Sequence, residues 1–350
     1  MNCQFYQFRW WPRTPKLQTI WLNRSVQREG HNCENNLKPK RDASDELTSL
    51  SLCVELRICE DRMFDLIYRF DPTNTESQRT PQSWKEACDL LVRGNRDFAE
   101  MTDGRKKERE MRVIPFDPRA LGWGSDTHGA PAQVPFAAVL GCADARVPTE
   151  MIFAKGCNEL FVVRVAGNVL GRECLGSLRY AVGHFPKTLK LVVVLAHARC
   201  GAVTEAVEVY LQPGRYLEIA TDHSIRSIAD QILVAVRAAA IAIELLHGHE
   251  ALSQPNSQAA LLEAAVVLNA AWTAYCLRKE FHEGFPELGV VYGAYDLVTR
   301  RVRLPLSPAT EVTEEEKGLF EPPDDVEGFQ QLALRICNGK LVKSLLGVSQ

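Results

Sequence analysis

The sequence predicts an α/β fold, a central mostly parallel β-sheet flanked by helices. Three short runs carry that prediction: residues 136–141, 160–165 and 189–196 are each nearly continuous in apolar character, as strands covered on both faces are. Between the second and third, residues 175–183 have helical composition, and a strand, helix, strand order implies a right-handed crossover between parallel neighbours.

The remaining elements follow in order. Residues 63–70 read as an opening strand, and 71–81 as a polar linker. Residues 83–91 have the apolar spacing of a helix, with Ser83 as cap, Glu86 three residues on as a capping box, and Gly94-Asn95 marking its end. The Gly/Pro/Asp-rich stretch 117–135 reads as a loop leading into the core. After the three core strands come helices over about 225–249 and 258–282, then a strand over 289–295 that 301–304 can join as a hairpin. An acidic segment, 313–317, opens a C-terminal extension whose last part, 326–346, has mixed helical character, and no internal repeat is present. This divides the chain into an N-terminal extension (1–62), a lead-in segment (63–83), a main α/β domain (84–304) and a C-terminal extension (305–350).

Composition narrows the function. The chain has 350 residues, 46% hydrophobic and 24% charged, which excludes disorder as the dominant state. A formal charge of −3 offers no general attraction to phosphate backbones or anionic lipid, so a small molecule is the expected partner and nucleic acid is not. The apolar stretch 232–246 is interrupted by Arg237 and Glu244 and is too short to span a bilayer, so no membrane span is expected. Eleven cysteines, an odd number scattered through a long chain, fit a reducing compartment, and a cytoplasmic location is expected. Residues 1–62 are basic up to Cys33 but lack a clear amphipathic helix or apolar signal core. They are read as an extension upstream of a natural start at Met63 in preference to an organellar transit peptide.

Two strand ends concentrate the reactive side chains. Gly141-Cys142-Ala143-Asp144-Ala145-Arg146 closes the first core run, and Ala196-His197-Ala198-Arg199-Cys200-Gly201 closes the third. Ligands in open parallel sheets sit beyond the carboxyl ends of the strands. If the two strands are neighbours, Cys142, His197 and Cys200 converge as two thiolates and one imidazole, a donor set suited to zinc. Residues 201–207 begin a helix whose N-terminus would favour the Cys200 thiolate. Three protein ligands leave one tetrahedral position for water, and zinc lowers the pKa of bound water to about 7. Asp144 can orient the resulting hydroxide while Arg146 holds the Asp144 carboxylate by a two-pronged contact.

These residues closely resemble the hallmark of the beta-class carbonic anhydrases, Cys-x-Asp-x-Arg followed by His-x-x-Cys. The resemblance spans roughly residues 84–304, through Trp84, residues 94–98, Arg164-Val165-Ala166-Gly167-Asn168 and Val291-Tyr292-Gly293-Ala294-Tyr295-Asp296. It implies a beta-carbonic-anhydrase-like fold and the reversible hydration of carbon dioxide to bicarbonate. It places the zinc ligands on Cys142, His197 and Cys200, the dyad on Asp144 and Arg146, and a substrate pocket on Gln133, Phe161 and Tyr180. It further implies a homodimer or a higher even homo-oligomer.

Two departures stand out. The serine that usually follows the zinc-ligating histidine is Ala198 here, and the tryptophan that marks an inhibitory bicarbonate site in one subclass is Val139, although Arg164 remains. Hydrolysis of carbonyl sulfide or carbon disulfide, and a zinc-binding homologue without turnover, are the alternatives. Five histidines, at 184, 223, 247, 249 and 282, are proton-shuttle candidates by chemistry alone. Cys157 and Cys174 are assigned to packing.

Overall fold

The computed structural model describes residues 64–69, 80–101, 110–115, 117–122 and 129–348. The N-terminal extension and most of the polar linker lie outside the described residues. Strand β1 (Phe64–Arg69) forms where the opening strand was expected. It pairs in parallel with β2 (Glu110–Pro115), a strand whose mixed composition gave no alternation to read.

Helix α1 (Trp84–Met101) starts as expected, with Ser83 Oγ accepting from the Glu86 N–H at 3.2 Å. The Glu86 carboxylate reaches back one residue further than a standard capping box and accepts from the Gln82 N–H at 2.9 Å. The expected stop at Gly94-Asn95 is wrong, because the helix runs through both residues. Their chemistry serves tertiary contact instead. A Cβ at Gly94 would lie 1.9 Å from the Phe153 carbonyl oxygen. The buried Asn95 amide donates to the Ile152 and Arg300 carbonyls at 3.2 and 3.0 Å, and its oxygen accepts from the Val302 N–H at 2.7 Å.

The main sheet is built from β3 (Ala137–Gly141), β4 (Leu160–Arg164), β5 (Leu191–His197), β6 (Gly289–Tyr295) and β7 (Val302–Arg303), in the order β4-β3-β5-β6-β7. All neighbours are parallel except β6 and β7, which form the expected hairpin. Helix α2 (Thr149–Ile152) lies between β3 and β4, and α3 (Arg172–His184) is the crossover to β5. From β3 the chain steps outward to β4, then returns across β3 to β5 and continues outward to β6. The directions therefore diverge between the carboxyl ends of β3 and β5, where such sheets bind ligands.

The side chains of β3 and β5 alternate between two core layers. Ala138, Leu140, Val192 and Val194 face one layer, while Ala137, Val139, Leu191 and Val193 face the other, together with α1 residues Ala87 and Leu91. β3, β5 and β6 are buried throughout, as continuous apolar runs require. β4 departs from that expectation. It is the edge strand, and its Leu160, Phe161, Val162 and Val163 are only half-buried.

Beyond β5 come α4 (Gly201–Leu211), the short α5 (Tyr216–Ile219), α6 (His223–His247) and α7 (Ser257–Phe281). Asp222 caps α6 by accepting from the Ser224 and Ile225 N–H groups at 3.1 Å each. Among the described residues, α7, rather than residues 232–246, is the helix long and apolar enough to cross a membrane by length and composition. It packs against β5, β6 and α6 with 72% of its most apolar window buried, as a helix apolar on all sides does in a protein core.

The C-terminal segment folds back onto this domain. Its mixed helical part resolves into α8 (Val326–Cys337), which packs on α6, and α9 (Lys340–Leu346), which packs on α7. His247 Nε2 bonds the Cys337 carbonyl at 3.0 Å, fastening α6 to α8.

Candidate metal centre

Parallel pairing of β3 and β5 aligns Gly141 with Leu195, so the two strand ends deliver Cys142 and His197 to the same edge of the sheet. Cys200 stands at the N-cap of α4, three residues beyond His197. The ligand atoms of Cys142, His197 and Cys200 lie within 4.8 Å of one another, all three residues are buried, and they are the one such cluster among the described residues. The two Sγ atoms are 3.8 Å apart.

His197 is already set as a ligand. A carbonyl only accepts, so the 3.0 Å contact between Nδ1 and the Ala198 oxygen places the ring proton on Nδ1. Nε2 then keeps its lone pair, and this buried atom has no hydrogen-bond partner. A buried nitrogen left so costs stability unless something binds it. The histidine fully covered in protein, the two adjacent thiols and the unpartnered Nε2 together fit zinc.

The thiols divide their protons unequally. Cys142 is held well below the usual thiol range, chiefly by its hydrogen bond with Cys200 and also by the backbone N–H groups of Asp144 and Gly167, against the opposing effect of burial. Cys200 is pushed up, chiefly by its hydrogen bond to Cys142 and by burial. The α4 backbone N–H groups of Ala202 and Val203 lower it as the helix-terminus argument predicts, but with the two sulfurs 3.8 Å apart a thiolate on one opposes a thiolate on the other. The expected Cys200 thiolate therefore forms only when a cation shares the site.

Asp144 and Arg146 form the expected clamp. Arg146 donates Nε to Oδ1 at 2.9 Å and Nη2 to Oδ2 at 2.7 Å, and its backbone N–H also reaches Oδ1 at 2.9 Å. The Arg146 guanidinium holds the Asp144 carboxyl well below the ordinary carboxylate range. Asp144 Oδ2 stands 3.7 Å from His197 Nε2, at the edge of the ligand cluster.

Sequence reasoning assigned no role to three supporting residues. Arg164 donates to the Cys142 and Asp144 carbonyls at 2.9 and 2.5 Å and so holds the turn that bears both. Gly167, at φ +67, turns its N–H onto Cys142 Sγ at 3.4 Å, and a Cβ there would meet Ile232 Cδ1 at 2.8 Å. Asn269 of α7 donates to the Gly167 carbonyl at 2.7 Å and fixes that peptide. The Gly167-Asn168 dipeptide was the available signal.

The pocket residues fall elsewhere within one chain. Phe161 pairs with Ala138, four positions before Cys142 and so roughly 13 Å along the strand. Tyr180 of α3 is half-exposed, with its ring 6.4 Å from Phe161 and stacked on His184 at 4.0 Å. Gln133 is exposed before β3, in a segment that Asn158 holds from the start of β4 through Ala132 and Val134. Phe161 and Tyr180 thus meet where α3 packs on β4, and Gln133 sits in the segment tied to the entry of that strand. Cys157 is exposed rather than packed, whereas Cys174 packs on the core.

Residues 137–301 match the family model described as carbonic anhydrase. That segment, a little under half of the chain, is similar to the carbonic anhydrases. Both ligand-bearing turns and the dyad lie inside the matched segment. Curated proteins similar to the chain include Carbonic anhydrase 2 of Mycobacterium tuberculosis, 41% identical over 103 residues, which are 29% of this chain and 49% of that protein. The carbonic anhydrase of Mycolicibacterium smegmatis is 49% identical over 72 residues, 21% of this chain and 34% of its own length. The chain thus spans about half or less of the curated relatives it matches. Among solved structures, the β-carbonic anhydrase CafA of Aspergillus fumigatus is 19% identical with a TM-score of 0.36, covering 60% of this chain and 85% of that one.

Proposed function

We propose that this chain is a zinc-dependent carbonic anhydrase that interconverts carbon dioxide with bicarbonate and a proton. The observation that carries the reading is the convergence of Cys142, His197 and Cys200, with a buried unpartnered His197 Nε2, beside an Asp144 already clamped by Arg146. Bound zinc would supply Lewis acidity that makes hydroxide available from water at neutral pH.

The protein's own groups do the rest. Cys142 and Cys200 bring negative charge that favours a divalent cation, and the Ala198 carbonyl holds His197 in the tautomer that ligates. Asp144, kept ionised and in place by Arg146, accepts a hydrogen bond from the attacking oxygen and orients it toward the carbon of the substrate. Arg146 also keeps Asp144 from swinging toward the metal. Of the five candidate histidines, His184 is the one stacked on a proposed pocket residue, which makes it the first to test as a proton carrier.

A homodimer is part of the same reading. Among the described residues, the β4 edge leaves four apolar residues half-covered and one row of backbone groups unpaired by the sheet, a surface that soluble sheets cover. Phe161 is on β4, Tyr180 packs on it, and Gln133 lies in the segment tied to the strand's entry, so a second copy seated at this edge would give them a site to line. Sedimentation velocity tests it: a dimer or larger even assembly is expected, and a monomer at micromolar concentration would contradict it. A cytoplasmic location is proposed on cysteine usage alone.

The test of the activity is carbon dioxide hydration by zinc-loaded protein. Turnover of carbonyl sulfide or carbon disulfide without hydration would transfer the site to a sulfur analogue, and zinc with neither activity would mark a retired site.

A further inference from the structure

The β6-β7 hairpin and the segment after it hold a second group of buried charges, outside the metal centre. Arg303, Asp296 and Glu316 are each more than nine-tenths covered. Arg303 donates Nε and Nη2 to Asp296 Oδ2 at 3.0 and 2.8 Å, and Nη1 to Glu316 Oε2 at 3.2 Å and to the Ser307 carbonyl at 2.8 Å. Glu316 Oε2 also accepts from the Leu306 and Ser307 N–H groups at 3.2 and 3.0 Å, while Oε1 accepts from Thr313 Oγ1 at 3.2 Å. Charges buried to this degree persist only when paired and hydrogen-bonded, and such networks fix one geometry.

That geometry reaches the metal centre. Asp296 Oδ1 accepts from the Val298 and Thr299 N–H groups at 2.8 and 3.2 Å and shapes the turn that follows β6. Leu297 and Val298 of this turn line an open depression together with Arg146, Ala198, Arg199 and Tyr295. The residue before Asp296 is Tyr295, which pairs with His197 in the sheet and whose carbonyl accepts from the Ala198 N–H at 2.9 Å. A small cavity bordered by Ala198, Glu263, Tyr295, Asp296 and Arg303 separates the network from the ligand-bearing turn. Ala198 offers no side-chain hydrogen bond there, so the turn takes its position from Tyr295 and, behind it, Asp296.

We propose that Glu316 is a positioning residue for the metal centre, acting through Arg303 and Asp296 on the Tyr295 backbone that carries the His197-Ala198 turn. The C-terminal segment is then a working part of the site and not an appendage. The inference rests on the zinc reading above and assigns this region a role in metal affinity.

Competition for zinc against a chromophoric chelator, and the visible spectrum of the cobalt(II) form, are to be recorded on the full chain and on Glu316→Leu and Glu316→Gln. Glu316→Leu should lose about tenfold in zinc affinity, the scale of lost outer support at metal sites, and should shift the cobalt bands. Glu316→Gln, which keeps an acceptor oxygen, should recover much of the affinity. Should the leucine variant not fold, Thr313→Val removes one donor to the same carboxylate and should weaken zinc about twofold, a fraction of that outer-support loss. Folded variants that melt earlier yet keep the wild-type zinc affinity and cobalt spectrum would overturn the proposal. A wild-type chain that fails to bind zinc would overturn both readings, whereas tight wild-type binding with unmoved variants would overturn this one alone.

Discussion

Cys142 Sγ and Cys200 Sγ lie 3.8 Å apart across 58 positions of sequence. The pairing of β3 with β5 alone brings them together, and at that distance the two thiols cannot both ionise without a cation between them. Replacing Cys200 with Ala should therefore abolish stoichiometric zinc, measured by elemental analysis after dialysis, and hydration with it. Retained zinc with full turnover would remove Cys200 from the ligand set.

Asp144→Asn separates metal binding from turnover. The amide keeps the size of the carboxylate but accepts less strongly and loses the charge that Arg146 clamps. Zinc content should stay at one per chain while kcat falls at least about a hundredfold, the scale of a positioned proton-handling group. Unchanged kcat would take the dyad out of the mechanism.

Asn95→Ala tests the junction between α1 and the hairpin. The substitution leaves the Ile152 and Arg300 carbonyls and the Val302 N–H without their partner. The cost should be about 3 kcal/mol, from buried polar groups left unsatisfied. Urea unfolding should show a lower midpoint at an unchanged slope, and a midpoint equal to wild type would contradict the assignment.

Acid stability follows from Glu316. Burial alone would raise its pKa, but hydrogen bonds from Ser307 and Thr313 outweigh that and leave it below the ordinary glutamate value. A carboxyl depressed in the folded state contributes stability that is present above its unfolded pKa of about 4.3 and is lost as pH falls through the folded value. Urea midpoints of the wild type should therefore drop below about pH 5. Glu316→Gln should start lower at neutral pH and fall less steeply over that range. Parallel curves would contradict the linkage.

The parts of the molecule legible in sequence share a cause. The three candidate ligands and the Asp144-Arg146 pair sit at or just beyond strand ends, and strand ends are visible as the close of an apolar run. Gly94-Asn95 misled because local turn chemistry was outweighed by the approach of Phe153 and by three hydrogen bonds to residues 57 to 207 positions away. β2 was missed because pairing with β1 defines it, not its own pattern. The Glu316, Arg303 and Asp296 network left no trace either, since an acidic segment reads as solvated until the fold buries one of its members. The half-exposed β4 was likewise hidden, because an edge strand and a central strand share one apolar signature.

Stopped-flow hydration of carbon dioxide, with zinc determined on the same sample, tests the central claim most directly. The account predicts rapid hydration that scales with zinc occupancy and disappears on chelation. Full zinc occupancy with only the background rate would contradict it.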